Sequence, residues 1–258
     1  MWRRAASHCI RLARFTSSVI GVCLAARAVG HNNSMVTTKS IAHVGVLLAA
    51  GASARFGGMY PGAKLDQLID GVAVGVRAFE NLAAAVDHVV VVVRDPNAKL
   101  AQHARAKAAT VLVNNEAHRG MGHSLATAVT YIQTHCIDAQ FIWASMADLP
   151  CIKQSTFERL SPNKLGANLQ SALLIVQPVF EGANVVAGPP RTGNDRRVGH
   201  PVIFGRAHWA ALAALDGDEG ARSVVHAQRE HLITVQTDDE GVWRDIDSPS
   251  DLLLNREL

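Results

Sequence analysis

From Val44 onward, short continuous apolar runs alternate with segments whose apolar residues recur at helical spacing. Buried parallel strands read as unbroken apolar runs because both of their faces are covered, so this alternation predicts a mostly parallel sheet with helices on both faces. The predicted strands are Val44–Ala50, His88–Arg94, Thr110–Asn114, Phe141–Met146, Ser171–Phe180, Pro201–Phe204 and Leu232–Thr237. Five consecutive valines, Val89 to Val93, mark a strand buried on both sides and place it in the centre of the sheet. Helices are predicted over Val72–Ala85, Pro96–Lys107, Leu125–His135, Ala207–Leu215 and Ala221–Arg229, segments rich in alanine and other good helix formers.

Punctuation residues sharpen two boundaries. Asp95 before Pro96 combines an N-cap acceptor with a residue whose missing N–H costs nothing at the first helical position. Ser248-Pro249-Ser250-Asp251 repeats that grammar, with Asp251 placed to close a capping box on a last helix. Glu181 to Gly199, dense in glycine, proline and arginine, predicts a long mobile loop. The fold class is therefore α/β, a three-layer sandwich with a mostly parallel sheet.

Composition changes this picture at one end only. The 258 residues are 48% apolar and 18% charged, which suits one large globular domain and excludes a fibrous or disordered chain. Residues 1–34 hold five arginines and no acid, so the overall charge of +3 leaves −2 on the rest, with no basic stripe for nucleic acid. Residues 1–40 thus read as an extension outside a single domain over residues 41–258. The extension is taken as sequence preceding a start at Met35, with a transit peptide or a signal peptide as alternatives. The apolar stretch Val19–Val29 is interrupted by Arg27 and falls short of the ~20 residues of a membrane span. Cys9, Cys23, Cys136 and Cys151 show neither metal-ligand nor disulfide spacing, so a reducing, cytoplasmic setting is expected.

Candidate chemistry gathers where predicted strands end. The first runs into the small-residue turn Ala49-Ala50-Gly51-Ala52-Ser53, followed by Arg55, Gly57 and Gly58 and then by Lys64. Small residues let backbone N–H groups wrap phosphate oxygens, and the spacing matches neither a dinucleotide-binding turn nor a P-loop. Asp148 follows the fourth strand in Met146-Ala147-Asp148-Leu149-Pro150, where open α/β sheets collect ligands, and is a metal candidate. In Trp243-Arg244-Asp245-Ile246-Asp247, extended alternation puts both aspartates on one side and Ile246 on the other, so either offers a second ligand. The competing role for Asp247 is a cap on the following helix.

These motifs together resemble a family. Leu48-Ala49-Ala50-Gly51-x-Ser53-x-Arg55-Phe56-Gly57 with Lys64-Leu65 is similar to the signature of NTP transferases related to the molybdenum cofactor cytidylyltransferases and guanylyltransferases, although Gly58–Ala63 lengthens the gap before the lysine. The likeness extends through Met146–Pro150, where Ala147 replaces a usual glycine, and Asp245–Pro249, up to about Leu254. It implies that Leu48, Ala49, Ala50, Gly51, Ser53, Gly57 and Gly58 hold the nucleotide, that Arg55 and Lys64 balance phosphate charge, and that Mg²⁺ sits on Asp148 and Asp247. Asn114-x-x-x-x-x-Gly120-Met121-x-x-Ser124 resembles the base-binding stretch of the cytidylyltransferases, whereas guanylyltransferases tend to carry Gly-Pro, so the resemblance implies CTP. Gly199-His200-Pro201-Val202 matches the acceptor side and assigns His200 to the acceptor.

The resemblance implies transfer of CMP to molybdopterin with release of pyrophosphate, the product then serving a molybdoenzyme. Two rivals remain: a transferase for another small phosphorylated acceptor such as a sugar phosphate, and a non-catalytic maturation chaperone that binds cofactor.

Overall fold

The computed structural model describes residues 42–51, 63–166, 171–181 and 196–254. Ten strands are present among them: β1 (His43–Ala49), β2 (Leu68–Ile69), β3 (Val72–Ala73), β4 (His88–Val93), β5 (Thr110–Val113), β6 (Phe141–Met146), β7 (Ile175–Glu181), β8 (Arg196–Val198), β9 (Val202–Gly205) and β10 (Leu232–Thr237). The helices are α1 (Val74–Ala83), α2 (Lys99–Ala106), α3 (Met121–His135), α4 (Gln154–Leu160), α5 (Trp209–Ala213), α6 (Arg222–Ala227) and α7 (Pro249–Leu254). All seven predicted strands form.

The main sheet runs β10-β7-β9-β6-β1-β4-β5, with β8 pairing β7, while β2 and β3 form a separate hairpin. β1 pairs in parallel with both β4 and β6, β4 with β5, and β7 with β10. β9 reverses direction, antiparallel to β6 and β7. The chain leaves β1 on one side toward β4 and β5 and returns on the other to β6, so the carboxyl end of β1 is a topological switch point, where open α/β sheets bind ligands.

Alternation sorts the core. Leu47, Val89, Val91 and Val93 point to the layer of α1, α2 and α4, while Val44, Val46, Val90 and Val92 point to α3, α5 and α6. The five valines are buried through both faces, as expected, but β4 lies one strand in from the edge; β6 and β1 hold the centre. A run of valines reports burial on both faces, which an interior strand next to an edge also has.

Several local expectations shift. The helix predicted from Pro96 begins at Lys99, because the Asp95 carboxylate accepts from Asn97 N–H and closes a turn instead. Val72 and Ala73 pair with Ile69 and Leu68 before α1 starts. Ser171–Leu173 is a 3₁₀ turn ahead of β7. α4, unpredicted, buries Thr156, Phe157 and Leu160. At the carboxyl end the capping box forms: Asp251 accepts from Ser248 N–H at 2.6 Å and from Asp247 N–H at 2.9 Å. Of the predicted loop Glu181–Gly199, residues 182–195 lie outside the described residues, and Arg196–Val198 is strand β8. Among the described residues no helix is long and apolar enough to cross a membrane.

Candidate functional site

A cavity of about 480 Å³ opens at the carboxyl end of β1. At one end Gly51, Lys64, Asp148 and Asp247 line it; at the other stand Ala117, Gly120, Met121 and Ser124, with Leu48, Ala49 and Ala50 between. Segments more than a hundred residues apart therefore meet where their strands end. Ser53, Arg55, Gly57 and Gly58 lie outside the described residues.

Asp148 and Asp247 are brought together by backbone. Ala147 N–H donates to Leu48 C=O, pinning the exit of β6 to β1, and Ile246 N–H donates to Asp148 C=O at 3.0 Å. Ile246 is fully buried with Ile69 and Val74, so the residues either side of it turn the other way. Carboxylate oxygens of Asp148, Asp245 and Asp247 then lie within 4.8 Å of one another. The alternation expected for residues 245–247 holds, and Asp245 joins the pair the resemblance implied.

Asp239 fixes this segment from behind. Fully buried, it accepts from Lys153 N–H at 2.8 Å, Thr156 Oγ at 2.6 Å and Gly241 N–H at 3.0 Å, clamping the chain that leads to Asp245 onto the loop after β6. A Cβ at Gly241 would stand 2.4 Å from the Cys151 carbonyl carbon, so only glycine permits that approach. No sequence motif singled out either residue.

The Lys64 ammonium reaches Asp148 at 2.6 Å and Asp247 at 3.2 Å, which shows that the Asp247 carboxylate faces the cavity rather than capping α7. Burial alone would weaken proton binding by Lys64, but the two carboxylates more than offset it and hold its pKa above the ordinary value. Burial, then Asp148 and Asp247, push the Asp245 carboxyl up. The second oxygen of Asp148, Oδ1, is buried without a hydrogen-bond partner. Leaving a buried carboxylate oxygen unpaired costs at least about 1–3 kcal/mol. Three convergent carboxylates and an orphaned oxygen are a donor set suited to a hard divalent cation, which takes one or two carboxylates and completes its shell with phosphate and water. The residues present fit such an ion.

The opposite end is built on glycine. Gly120 has φ +107°, and a Cβ there would lie 2.4 Å from the Gly217 carbonyl group and the Asp218 carboxylate. Gly122 N–H donates to Gly217 C=O at 2.7 Å, and Arg119 spans Glu116 and Asp216. The turn after α5 is thereby clasped against the start of α3 and brings Asp218 to the cavity wall. Asn114 is buried beneath rather than lining the cavity: its amide donates to Ser124 Oγ at 3.0 Å, while Ser124 Oγ donates to Gly120 C=O at 3.4 Å. Asn114 and Ser124 thus hold the turn in shape, with a hydroxyl lone pair left to face a ligand.

His200 lines no part of this cavity. Its Nδ1 lies 3.4 Å from Ala144 C=O, and burial pushes its pKa below the ordinary value despite that carbonyl and Asp148, so it is neutral at pH 7. Arg94 and Asp218 line the cavity without having been read as site residues. The available signals were a charged residue ending a valine strand and the glycine-bracketed turn Gly217-Asp218-Glu219-Gly220.

Residues 45–232 match the family described as MobA-like NTP transferase domain. No curated protein matches the chain. Among solved structures, Rv0371c from Mycobacterium tuberculosis H37Rv is similar at 24% identity with a TM-score of 0.62, over 85% of this chain and 99% of that one. The same protein in complex with manganese aligns at 22% identity and 0.59, over 85% and 100%. The 4-diphosphocytidyl-2C-methyl-D-erythritol synthase from Anaerococcus prevotii aligns at 12% and 0.58, over 84% and 98%. At such identities the structures bear on the fold.

Proposed function

From a chain that belongs to the MobA-like NTP transferase domain family, and is therefore a nucleotidyltransferase, we propose a narrower activity: transfer of CMP from CTP to molybdopterin, in its molybdenum-loaded form, with release of pyrophosphate. The observation that carries this reading is one cavity joining a cation-seeking carboxylate cluster to a Gly120-Met121 turn of cytidylyltransferase type. A manganese complex of the similar Rv0371c supports divalent-ion binding, and Mg²⁺ is the ion we assign here.

Asp148, Asp245 and Asp247 would hold the ion, which would supply charge neutralisation at the α-phosphate and the leaving pyrophosphate. Lys64, at the same end, neutralises phosphate oxygens, and the resemblance gives Arg55 the same role. Backbone N–H groups at Gly51 and beyond cradle the triphosphate, and the turn Gly120–Ser124 seats the base. The acceptor's terminal phosphate oxygen, already an anion at neutral pH, attacks the α-phosphorus in line; the bond to the β-phosphate oxygen breaks, and no proton must be removed by the protein. Positioning and electrostatics then carry the rate. His200, neutral and outside the nucleotide cavity, is assigned to the acceptor side on the Gly199-His200-Pro201-Val202 resemblance alone. Residues 1–40 take no part, and the domain is residues 41–258; the cytoplasm is the compartment and a molybdoenzyme the recipient.

Purified protein incubated with Mg²⁺, each NTP and molybdenum-loaded molybdopterin tests the reading by pyrophosphate release. Release with CTP well above GTP is expected. Equal kcat/KM for the two nucleotides, or release only with a sugar phosphate as acceptor, refutes it.

A further inference from the structure

Arg94 closes the five-valine strand and has no assigned role. In β4, Val89, Val91 and Val93 face α1 and α2 while Val90 and Val92 face α3. Arg94 follows the last strand residue, Val93, and borders two hollows: a smaller one with Gly51, Leu65 and Asp66, and the main cavity. There it lines the cavity with Met121 and Ser124, the first turn of α3.

Arg94 is half-buried, its Nε is buried without a hydrogen-bond partner, and among the described residues no carboxylate lies within ion-pair distance. Arg77, Arg119 and Arg244, by contrast, are each matched to acidic side chains. A guanidinium presents a rigid fork of donors and cannot neutralise itself by losing a proton. Kept unpaired at a cavity wall, it awaits an acceptor brought by the ligand. The carboxylates and Lys64 stand at the phosphate end, whereas Met121 and Ser124, which line the main cavity together with Arg94, belong to the turn that seats the base.

We infer that Arg94 reads the base, donating through its fork to two adjacent acceptors on a pyrimidine edge. Cytosine offers O2 and N3 side by side, both acceptors; uracil carries a hydrogen on N3 and so turns one of them into a donor. The inference rests on the cytidylyl reading and names its specificity determinant.

Calorimetric affinities for CTP, UTP, GTP and ATP with Mg²⁺, measured on wild type, Arg94→Met and Arg94→Lys, test it without any acceptor. In Arg94→Met, CTP should weaken by about 10- to 100-fold, the worth of hydrogen bonds to a charged group, while UTP changes little and the CTP/UTP preference collapses. Arg94→Lys should fail similarly, because it keeps the charge but loses the fork. Thermal midpoints near wild type would show both variants folded, since no protein partner is lost. If all four nucleotides weaken by one factor, or if Arg94→Lys restores CTP affinity fully, the guanidinium serves the phosphates and the inference fails; it fails too if no affinity changes. A wild type that binds GTP more tightly than CTP refutes the cytidylyl reading itself, before any variant is considered.

Discussion

Lys64→Met isolates the electrostatics on which the metal assignment stands. The wild-type ammonium is in ion-pair contact with Asp148 at 2.6 Å and Asp247 at 3.2 Å, and Lys64 and Asp148 are largely buried. Methionine keeps the stem and removes the charge, leaving three carboxylates within 4.8 Å of one another without the Lys64 ammonium. Breaking a buried pair by deleting one partner costs about 3–5 kcal/mol. Because the Asp247 side chain is 40% exposed and water screens it, the low end applies, about 3 kcal/mol. For a domain of this size that is roughly a 6–12 °C fall in thermal midpoint. A divalent ion should reverse most of it: at a hundred times its Kd, a ligand that binds only the folded state adds about 2.7 kcal/mol. The variant should gain more from the ion than wild type does, since in wild type the ammonium competes for the same oxygens. The assay is thermal denaturation of both proteins in chelator and across a Mn²⁺ or Mg²⁺ titration. If Lys64→Met is as stable as wild type in chelator, or if the ion stabilises both equally, the carboxylates do not form a cation site.

Asp148→Asn should keep a thermal midpoint close to wild type, because an amide oxygen can still accept from Lys64, while kcat falls by at least ~10²-fold and partly recovers at high Mn²⁺; near-normal turnover at low Mg²⁺ would move the site elsewhere. Gly120→Ala should lose about 1–3 kcal/mol in urea denaturation and raise KM for CTP, since a Cβ at φ +107° meets the Gly217 backbone; an unchanged KM would detach the turn from base binding. Burial holds His43 and His88 below the ordinary histidine pKa, so the unfolded chain binds their protons more tightly. Stability is then full above pH ~6.5 and declines as pH falls from there toward each folded value, and urea midpoints between pH 8 and 5 should show a slope that His88→Gln reduces. Deleting residues 1–34 should leave soluble expression and kcat unchanged, and insoluble protein would assign that segment to the fold.

Much of the architecture was legible in the chain because parallel strands covered on both sides leave continuous apolar runs; β1, β4 and β6 could be read almost to the residue. The place of Leu48–Gly51 at the cavity, of Asp148 and of the Asp245–Asp247 alternation were legible for a related reason: ligand chemistry collects where strands end, and strand ends are visible. What could not be read is whatever depends on distance between remote segments. The reversal of β9 leaves no mark on its own apolar pattern. α4 is seven residues long, too short for periodicity to rise above chance. The Lys64 bridge to Asp148 and Asp247, the Asp239 clamp, the joint between Gly120 and Gly217 and the unpaired guanidinium of Arg94 are facts about neighbours supplied by folding. Local sequence sets which residues prefer strand, helix or turn; which charges face one another is decided only when the sheet closes and buries them together.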